Sequence, residues 1–314
     1  MEHIDQFNQA LAAIKGDTSS GAAELASSAA RALAALGRGL VAHTADEVLC
    51  RLGRACRELI GAQPSMAPII NLANSVLAAA EEVVRSGASA AAAAEAAERA
   101  ALGFGTRLEE NAQATIAHCC RLLESVGGAS VAVLTHSYSS TVIAAIEEAV
   151  GLGRDVSVVC TESRPGCEGR TVLKRAAACG AKVTYVVDSL MFDILQRRAV
   201  DLCLVGADCV TRQSVINKIG TLGLAVAALH FGVPFYCAAG TEKLLSPRLE
   251  HLHRVLEHDR REVLEEEVAG VKVLNVYFDS TPLDLLSGLV CEIGVLDPEG
   301  LAELFEYPVS PRLL

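Results

Sequence analysis

The stretch Thr135-His136-Ser137-Tyr138-Ser139 follows the apolar run SVAVL, and further apolar runs end on similar clusters. These are Thr161-Glu162-Ser163-Arg164, Asp188-Ser189, Gly206-Ala207-Asp208 and Asp279-Ser280-Thr281. Hydroxyls, carboxylates and one guanidinium so placed could hold a phosphate, position a nucleophile or cap the next helix. Ser, Thr and Asp are preferred N-caps, so each taken singly reads better as a cap than as a ligand. Arg164 cannot N-cap, and its planar fork of donors suits a phosphate or carboxylate. Further along, CVTRQSVINKIGT sets Asn217, Lys218, Gly220 and Thr221 near a predicted helix start. A lysine at a helix N-terminus suits an anion, and an exposed loop lysine is the equal alternative.

Other chemistries find no support in the pattern. No G-x-S-x-G surrounds any serine, and neither G-x-G-x-x-G nor a Walker A motif occurs. Serine-triad, dinucleotide and P-loop sites of those types are therefore not indicated. His251, His253 and His258 lie in HLHRVLEHD, which runs on into RREVLEEE. That charge density predicts a solvated helical face, not a metal centre, and no cofactor is expected. Cys160 and Cys209 lie near strand ends and read as small buried hydrophobes. The chain has eleven cysteines, odd in number and without a C-x-x-C, as expected for reduced thiols in the cytoplasm.

Aromatics are 4% with no Trp, and the net charge is −11. Both argue against nucleic-acid binding, so no DNA partner is expected. The N-terminus is amphipathic and mixed in charge, unlike a signal peptide. Charges and turns interrupt the apolar runs, so no membrane helix is expected.

The elements that must carry these residues change character near residue 127. Before it, segments such as ADEVLCRLGRACRELIG, IINLANSVLAAAEEVV and NAQATIAHCCRLLESV repeat apolar residues at helical spacing. PSMAP at 64–68 reads as a turn between helices. After GGAS come short β-rich runs: 131–135, 156–161, 183–187, 202–207, 234–239 and 273–279. Helical patterns alternate with them: VIAAIEEAVG, RTVLKRAAAC, LMFDILQRR, IGTLGLAVAALHFG and PLDLLSGLVCEIG. Apolar strands alternating with helices predict an α/β domain with a parallel sheet covered on both faces. Ligands then belong over the strand C-termini. The expected organisation is a helical domain over 1–126 and an α/β domain over 127–314 that carries the ligand site.

The motifs LTHSYSSTV, TESRPGCEGR, VVDS, GADCVT, INKIGT and FDSTPLDLLSGLVCEIGVLDP, in that order, resemble the translation initiation factor 2B alpha/beta/delta family. Its superfamily includes methylthioribose-1-phosphate isomerase and ribose-1,5-bisphosphate isomerase. The resemblance spans about residues 130 to 305, and PSMAPIINLAN looks like a family loop near the sugar-phosphate site. It implies a helical N-terminal domain, a Rossmann-like C-terminal domain and a homodimer formed through the latter. The isomerase branch implies a cysteine in a THC turn and an aspartate in a GAD turn as its acid/base pair. Here the aspartate is Asp208, and Ser137 stands where the cysteine would be. LTHSYS is closer to the alpha subunit of the factor, whereas GAD fits the isomerase better.

The loss of an ionisable group at Ser137 sets the functional expectation: a dimeric, non-catalytic alpha-type factor subunit with a sugar-phosphate or nucleotide-phosphate pocket. Its partners would be a phosphorylated small molecule, a second copy through STPLDLLSGLVCEIGVL, and other factor 2B subunits. The alternative is an aldose–ketose isomerase of a ribose 1-phosphate derivative with Asp208 catalytic. In either case Arg164 and Lys218 are expected to clamp the anion, with Ser137, Ser139, Asp208 and Asn217 around it.

Overall fold

The computed structural model describes residues 2–17, 20–40, 44–127 and 129–314. Gly128, in the stretch where composition shifts, lies outside the described residues. The chain forms two compact units. The first is Met1–Glu110 with Glu242–Arg254 and Leu304–Leu314; the second is Asn111–Thr241 with Val255–Glu303.

The first unit holds α1 (Glu2–Gly16), α2 (Ala22–Gly39), α3 (Ala45–Ala62), α4 (Ala67–Arg85) and the start of α5 (Ala90–Gly127). The PSMAP turn separates α3 from α4. Thr44 and Glu47 begin α3 with a reciprocal capping box, satisfying donors that a helix start leaves free. Leu52, Leu59, Ile69, Ile70, Leu72 and Leu77 are fully buried, each worth about 1.5–3 kcal/mol on removal from water. By length and hydropathy α4 could cross a membrane, contrary to the sequence expectation, but 61% of that window is buried inside the protein as core. Two buried amides on α4 hold the later segments of this unit. Asn71 donates to the Glu242 and Leu244 carbonyls, at 2.8 and 2.9 Å, and Asn74 accepts from Ser310 N at 2.8 Å.

The second unit alternates β1 (Ser130–Thr135), α6 (Ser140–Gly151), β2 (Asp155–Thr161), α7 (Gly169–Ala178), β3 (Lys182–Val186), α8 (Met191–Gln196) and β4 (Leu202–Val205). There follow β5 (Cys209–Val210), β6 (Ser214–Lys218), α9 (Thr221–Phe231), β7 (Phe235–Ala238), β8 (Phe278–Pro282), β9 (Gly288–Cys291) and β10 (Gly294–Leu296). Seven strands form one sheet in the order β10-β9-β7-β4-β1-β2-β3, parallel except for the β9–β10 pair. Central β1 and β4 are apolar throughout most of their length, as a doubly covered parallel sheet requires. A second, antiparallel sheet, β5-β6-β8, stands apart from it.

Three expectations need correction. PLDLLSGLVCEIG is not a helix: Leu283–Leu285 is a single 3-10 turn, and the remainder makes the β9–β10 pair. A short buried apolar run has no period that separates helix from strand. The strand expected over 273–279 begins only at Phe278, because the buried Asn275 amide is bound to the Asp259 carbonyl and Glu262 instead. HLHRVLEHD is not helical beyond the 3-10 turn Glu250–Leu252. None of the eleven cysteines is in a disulfide.

Gly169, the first residue of α7, lies against the end of β2, where an added Cβ would fall 1.8 Å from the Thr161 carbonyl oxygen. Gly61 in α3 has nothing within 4 Å of such a Cβ. Gly169→Ala is therefore expected to lose about 3 kcal/mol or more in urea unfolding. Gly61→Ala should gain roughly 0.5–1 kcal/mol.

Candidate functional site

From β1 the chain moves to β2 and β3 on one side, then crosses to β4, β7 and β9 on the other. The direction reverses between β1 and β4, and open α/β sheets bind ligands outside the strand ends at such a switch. The turn after β1 carries Ser137, and the turn after β4 carries Gly206 and Asp208. These turns touch: an added Cβ on Gly206 would lie 2.7 Å from Ser139 Oγ. Ser137 itself is buried with φ 67, a left-handed conformation rare for a residue with a side chain.

Hydrogen bonds through the buried His136 fix this turn. Its Nε2 lies 2.8 Å from the Ile219 carbonyl oxygen, which can only accept, so Nε2 carries the proton. In the neutral ring Nδ1 must then accept, and Thr161 Oγ1 at 2.7 Å donates to it. With its own proton so used, Thr161 Oγ1 accepts from Ser163 Oγ at 3.1 Å. Ser163 Oγ in turn accepts from Ser137 N at 2.7 Å. Burial holds the His136 pKa below its ordinary value, consistent with this neutral tautomer. Gly220, φ 105, admits the ring: a Cβ there would strike Nε2 at 2.9 Å. Asp188 extends the network to β3, accepting from Ser163 N at 2.6 Å and Arg164 N at 2.8 Å.

The charged part of the site lies beside it. Lys218, only 4% exposed, pairs with Glu168 Oε1 at 2.6 Å, and its ammonium sits 4.6 Å from the centre of the Tyr277 ring. Glu168 Oε2 is buried without a hydrogen-bond partner. The opposing requirements are satisfied only in part, since a buried carboxylate oxygen should be paired. Tyr277 donates its hydroxyl to Glu262, at 2.7 and 2.6 Å from the two oxygens, and stacks on His258 at 3.5 Å between ring centres. Burial leads the rise of the Tyr277 pKa, with that carboxylate adding to it. Asp279 accepts from Gly220 N at 2.7 Å and from Leu222 N; burial raises its pKa and these two bonds oppose the rise.

The sequence-selected residues take the following places. Ser137, Asn217 and Lys218 are brought into one neighbourhood by the bond from His136 to Ile219. Asp208 donates its amide to the Ile216 carbonyl at 2.9 Å, one step beyond the Cys209–Ile216 pair, and so comes opposite Asn217. Asn217 donates to Thr221 Oγ1 at 3.0 Å. Ser139 caps α6, accepting from Val142 N at 3.3 Å. Arg164 is exposed, with one guanidinium nitrogen 3.3 Å from the Glu262 carbonyl oxygen. Burial pushes the Cys160 thiol up to about 11. Among the described residues no three His, Cys, Asp or Glu side chains stand together as a metal site. Sequence reading did not select His136, Ser163, Glu168 or Asp188 individually as site residues. Three lie in its strand-end clusters; Glu168 lies outside them, and its only signal is its place in TESRPGCEGR, seven residues past the end of β2.

The Initiation factor 2 subunit family matches residues 18–298. A protein of Haloferax volcanii named ribose 1,5-bisphosphate isomerase is 33% identical over 90% of this chain and 86% of its own. A protein of the same name from Archaeoglobus fulgidus is 41% identical, over 53% of this chain and 54% of its own length. The solved translation initiation factor eIF-2B of Pyrococcus horikoshii OT3 superposes with a TM-score of 0.76 at 26% identity, over 93% of this chain and 97% of that one.

His136 has a pH signature. Its folded-state pKa lies below the ordinary 6.5, so below that pH the unfolded chain takes up a proton that the folded site resists. This contribution is complete above the unfolded value and is lost as pH falls through it. His253 and His258 shift in the same direction, both led by burial. The melting temperature is expected to fall on acidification from about pH 7.5 to about pH 5.5. His136→Asn should flatten that dependence, whatever its absolute melting temperature; an unchanged slope would assign the dependence to other groups.

Proposed function

This chain belongs to the Initiation factor 2 subunit family, and within it we propose that the chain is an aldose–ketose isomerase of a ribose 1-phosphate derivative, ribose 1,5-bisphosphate foremost. This corrects the expectation of a non-catalytic alpha-type factor subunit. That expectation rested on Ser137 and on the likeness of the LTHSYS turn to the alpha subunit, whereas relatives at 28–41% identity are named for the isomerase. The observation that carries the reading is the crevice at the sheet's switch point. Ser139, two residues after Ser137, lies against Gly206 in the turn that leads to Asp208, and the His136–Ile219 bond brings the buried Lys218 into the same neighbourhood.

Conversion of an aldose 1-phosphate into a ketose 1-phosphate moves one proton from C2 to C1. It also opens the C1–O4 bond, with one proton leaving the C2 hydroxyl and one reaching O4. Two proton-transfer groups and a phosphate clamp are sufficient, with no oxidant or reductant. Asp208 is assigned to the oxygens: it gives a proton to O4 and recovers one from the C2 hydroxyl. Lys218 and Arg164 are assigned to phosphate, to which charge-assisted bonds are strong. Ser137 offers a hydroxyl to the sugar, on a backbone held by Ser163.

The same family reading suggests self-association. On α9, Leu222, Val226 and Leu229 are exposed at spacings of four and three, forming one apolar stripe. In the stretch first considered for contact, Leu289, Val290 and Cys291 are buried, whereas Ile293 and Val295 are exposed. We assign the main contact between copies to α9, where three exposed apolar side chains line one face.

Two experiments test these assignments. Proton and phosphorus NMR should reveal ribulose 1,5-bisphosphate accumulating from ribose 1,5-bisphosphate, and Arg164→Ala should weaken binding by about 1.5–3 kcal/mol. No conversion of either this sugar or methylthioribose 1-phosphate would sink the isomerase reading, and an unchanged dissociation constant would remove Arg164 from the site. Light scattering should give a dimer at micromolar concentration that Val226→Glu converts to a monomer; a monomeric wild type would refute the contact.

A further inference from the structure

The isomerase reading leaves one group unassigned: with Ser137 in place of a thiol, nothing named so far removes the proton from C2. We infer that Glu168 is that group, its Oε2 taking the C2 proton and returning it to C1.

Glu168 immediately precedes α7, in the loop after β2, and its carboxylate reaches the buried Lys218 on β6. One oxygen is held there at 2.6 Å; the other is buried and has no partner. A carboxylate fixed by one oxygen, with the second dry and unsatisfied, is poised to accept a proton from a bound molecule. Gly166 packs against the carboxylate, where a Cβ would fall 2.6 Å from Glu168 Oε1 and 3.2 Å from Oε2. The Lys218 ammonium that orients Glu168 also sits where the substrate's phosphate charge is assigned, so acceptor and clamp share one lysine. The alternatives among the thiols are poorer: Cys160 is buried, with its thiol pushed up to about 11, and Cys209 is buried in the β5–β6 pair.

The step balances. Glu168 Oε2 takes the C2 proton as the C2–H electrons form the C1–C2 double bond. The C1–O4 bond breaks, and O4 takes a proton from Asp208. The resulting enol collapses to the ketone as C1 receives the proton held by Glu168 and the C2 hydroxyl returns one to Asp208. Nothing is oxidised or reduced overall.

This inference rests on the isomerase reading, and one comparison separates their failures. Glu168→Gln preserves shape and an acceptor for Lys218 but removes the base. Its kcat on ribose 1,5-bisphosphate should fall ~10²–10⁴-fold. KM should be no weaker than that of the wild type, because the anion competing for Lys218 is gone. The acidic limb of the kcat–pH profile should disappear, and transfer of deuterium from C2 of labelled substrate to C1, followed by NMR, should stop. A kcat within threefold of wild type, or a loss confined to KM with the acidic limb retained, overturns the assignment while leaving an active isomerase. Absence of turnover in the wild type sinks both readings. Should the Gln variant fail to bind the sugar in a thermal-shift assay, Glu168→Asp carries the test. It keeps charge on Lys218 and withdraws the oxygen by one methylene, so kcat should fall at least about tenfold. A wild-type kcat in that variant overturns the proposal.

Discussion

The site depends on one buried ring. His136 joins the end of β1 to the turn before α9 and, through Thr161 and Ser163, to the end of β2. Each group in that sequence has its donor and acceptor role dictated by its neighbour, beginning from a carbonyl that can only accept. With both ring nitrogens engaged and the Ser163 hydroxyl within reach of Thr161 Oγ1 and the Thr161 carbonyl oxygen, the network holds the turn as a frame. Its output is the amide of Ser137, pinned in a left-handed conformation at the mouth of the crevice. Asp188 braces the same frame from β3 by binding two consecutive amides.

Around this neutral frame the charges are arranged asymmetrically. Lys218 is taken out of water between a carboxylate and an aromatic ring, an environment that compensates an ammonium group. Glu168 is compensated on one oxygen only. A fully paired cluster would resist change, whereas a half-paired one gains when a ligand supplies the missing donor. Tyr277, Glu262 and Asn275 form a hydrogen-bonded group beside it, in which the side-chain Oδ1 of Asn275 lacks a partner.

Much of this was legible from residue order. The parallel strands of the sheet centre were visible because buried parallel strands are continuous apolar runs, and their polar ends marked the crevice. What was not legible has physical causes. The β9–β10 pair is too short and too apolar for its period to reveal it. β6 ends in Asn217 and Lys218, whose polarity resembles a loop, yet both are buried because their partners arrive from β8 and the loop before α7. His136 reads as one polar letter among several; only folding brings Ile219 to its ring, 83 positions along the chain. Glu168 lies beyond the strand-end clusters, and its orphaned oxygen is a property of packing. Ser137 was read correctly as a non-thiol, but a single position could not decide between turnover and its absence.

The small β5-β6-β8 sheet has a consequence in time. β6 supplies the lysine, but its outer partner is β8, with Asn217 paired to Asp279 and Lys218 to Phe278. During synthesis the strands that make the crevice emerge well before residue 278 does. Until then Lys218 has only the two-residue β5 as a strand neighbour, and the amide of Gly220 lacks the Asp279 carboxylate. Closing so long a loop is slow compared with local pairing, so the pairs among β1, β2, β3, β4 and β7 form first and the electrostatics of the crevice follow. A nascent chain can thus possess the scaffold for some while before it possesses the charge pattern that would admit a ligand.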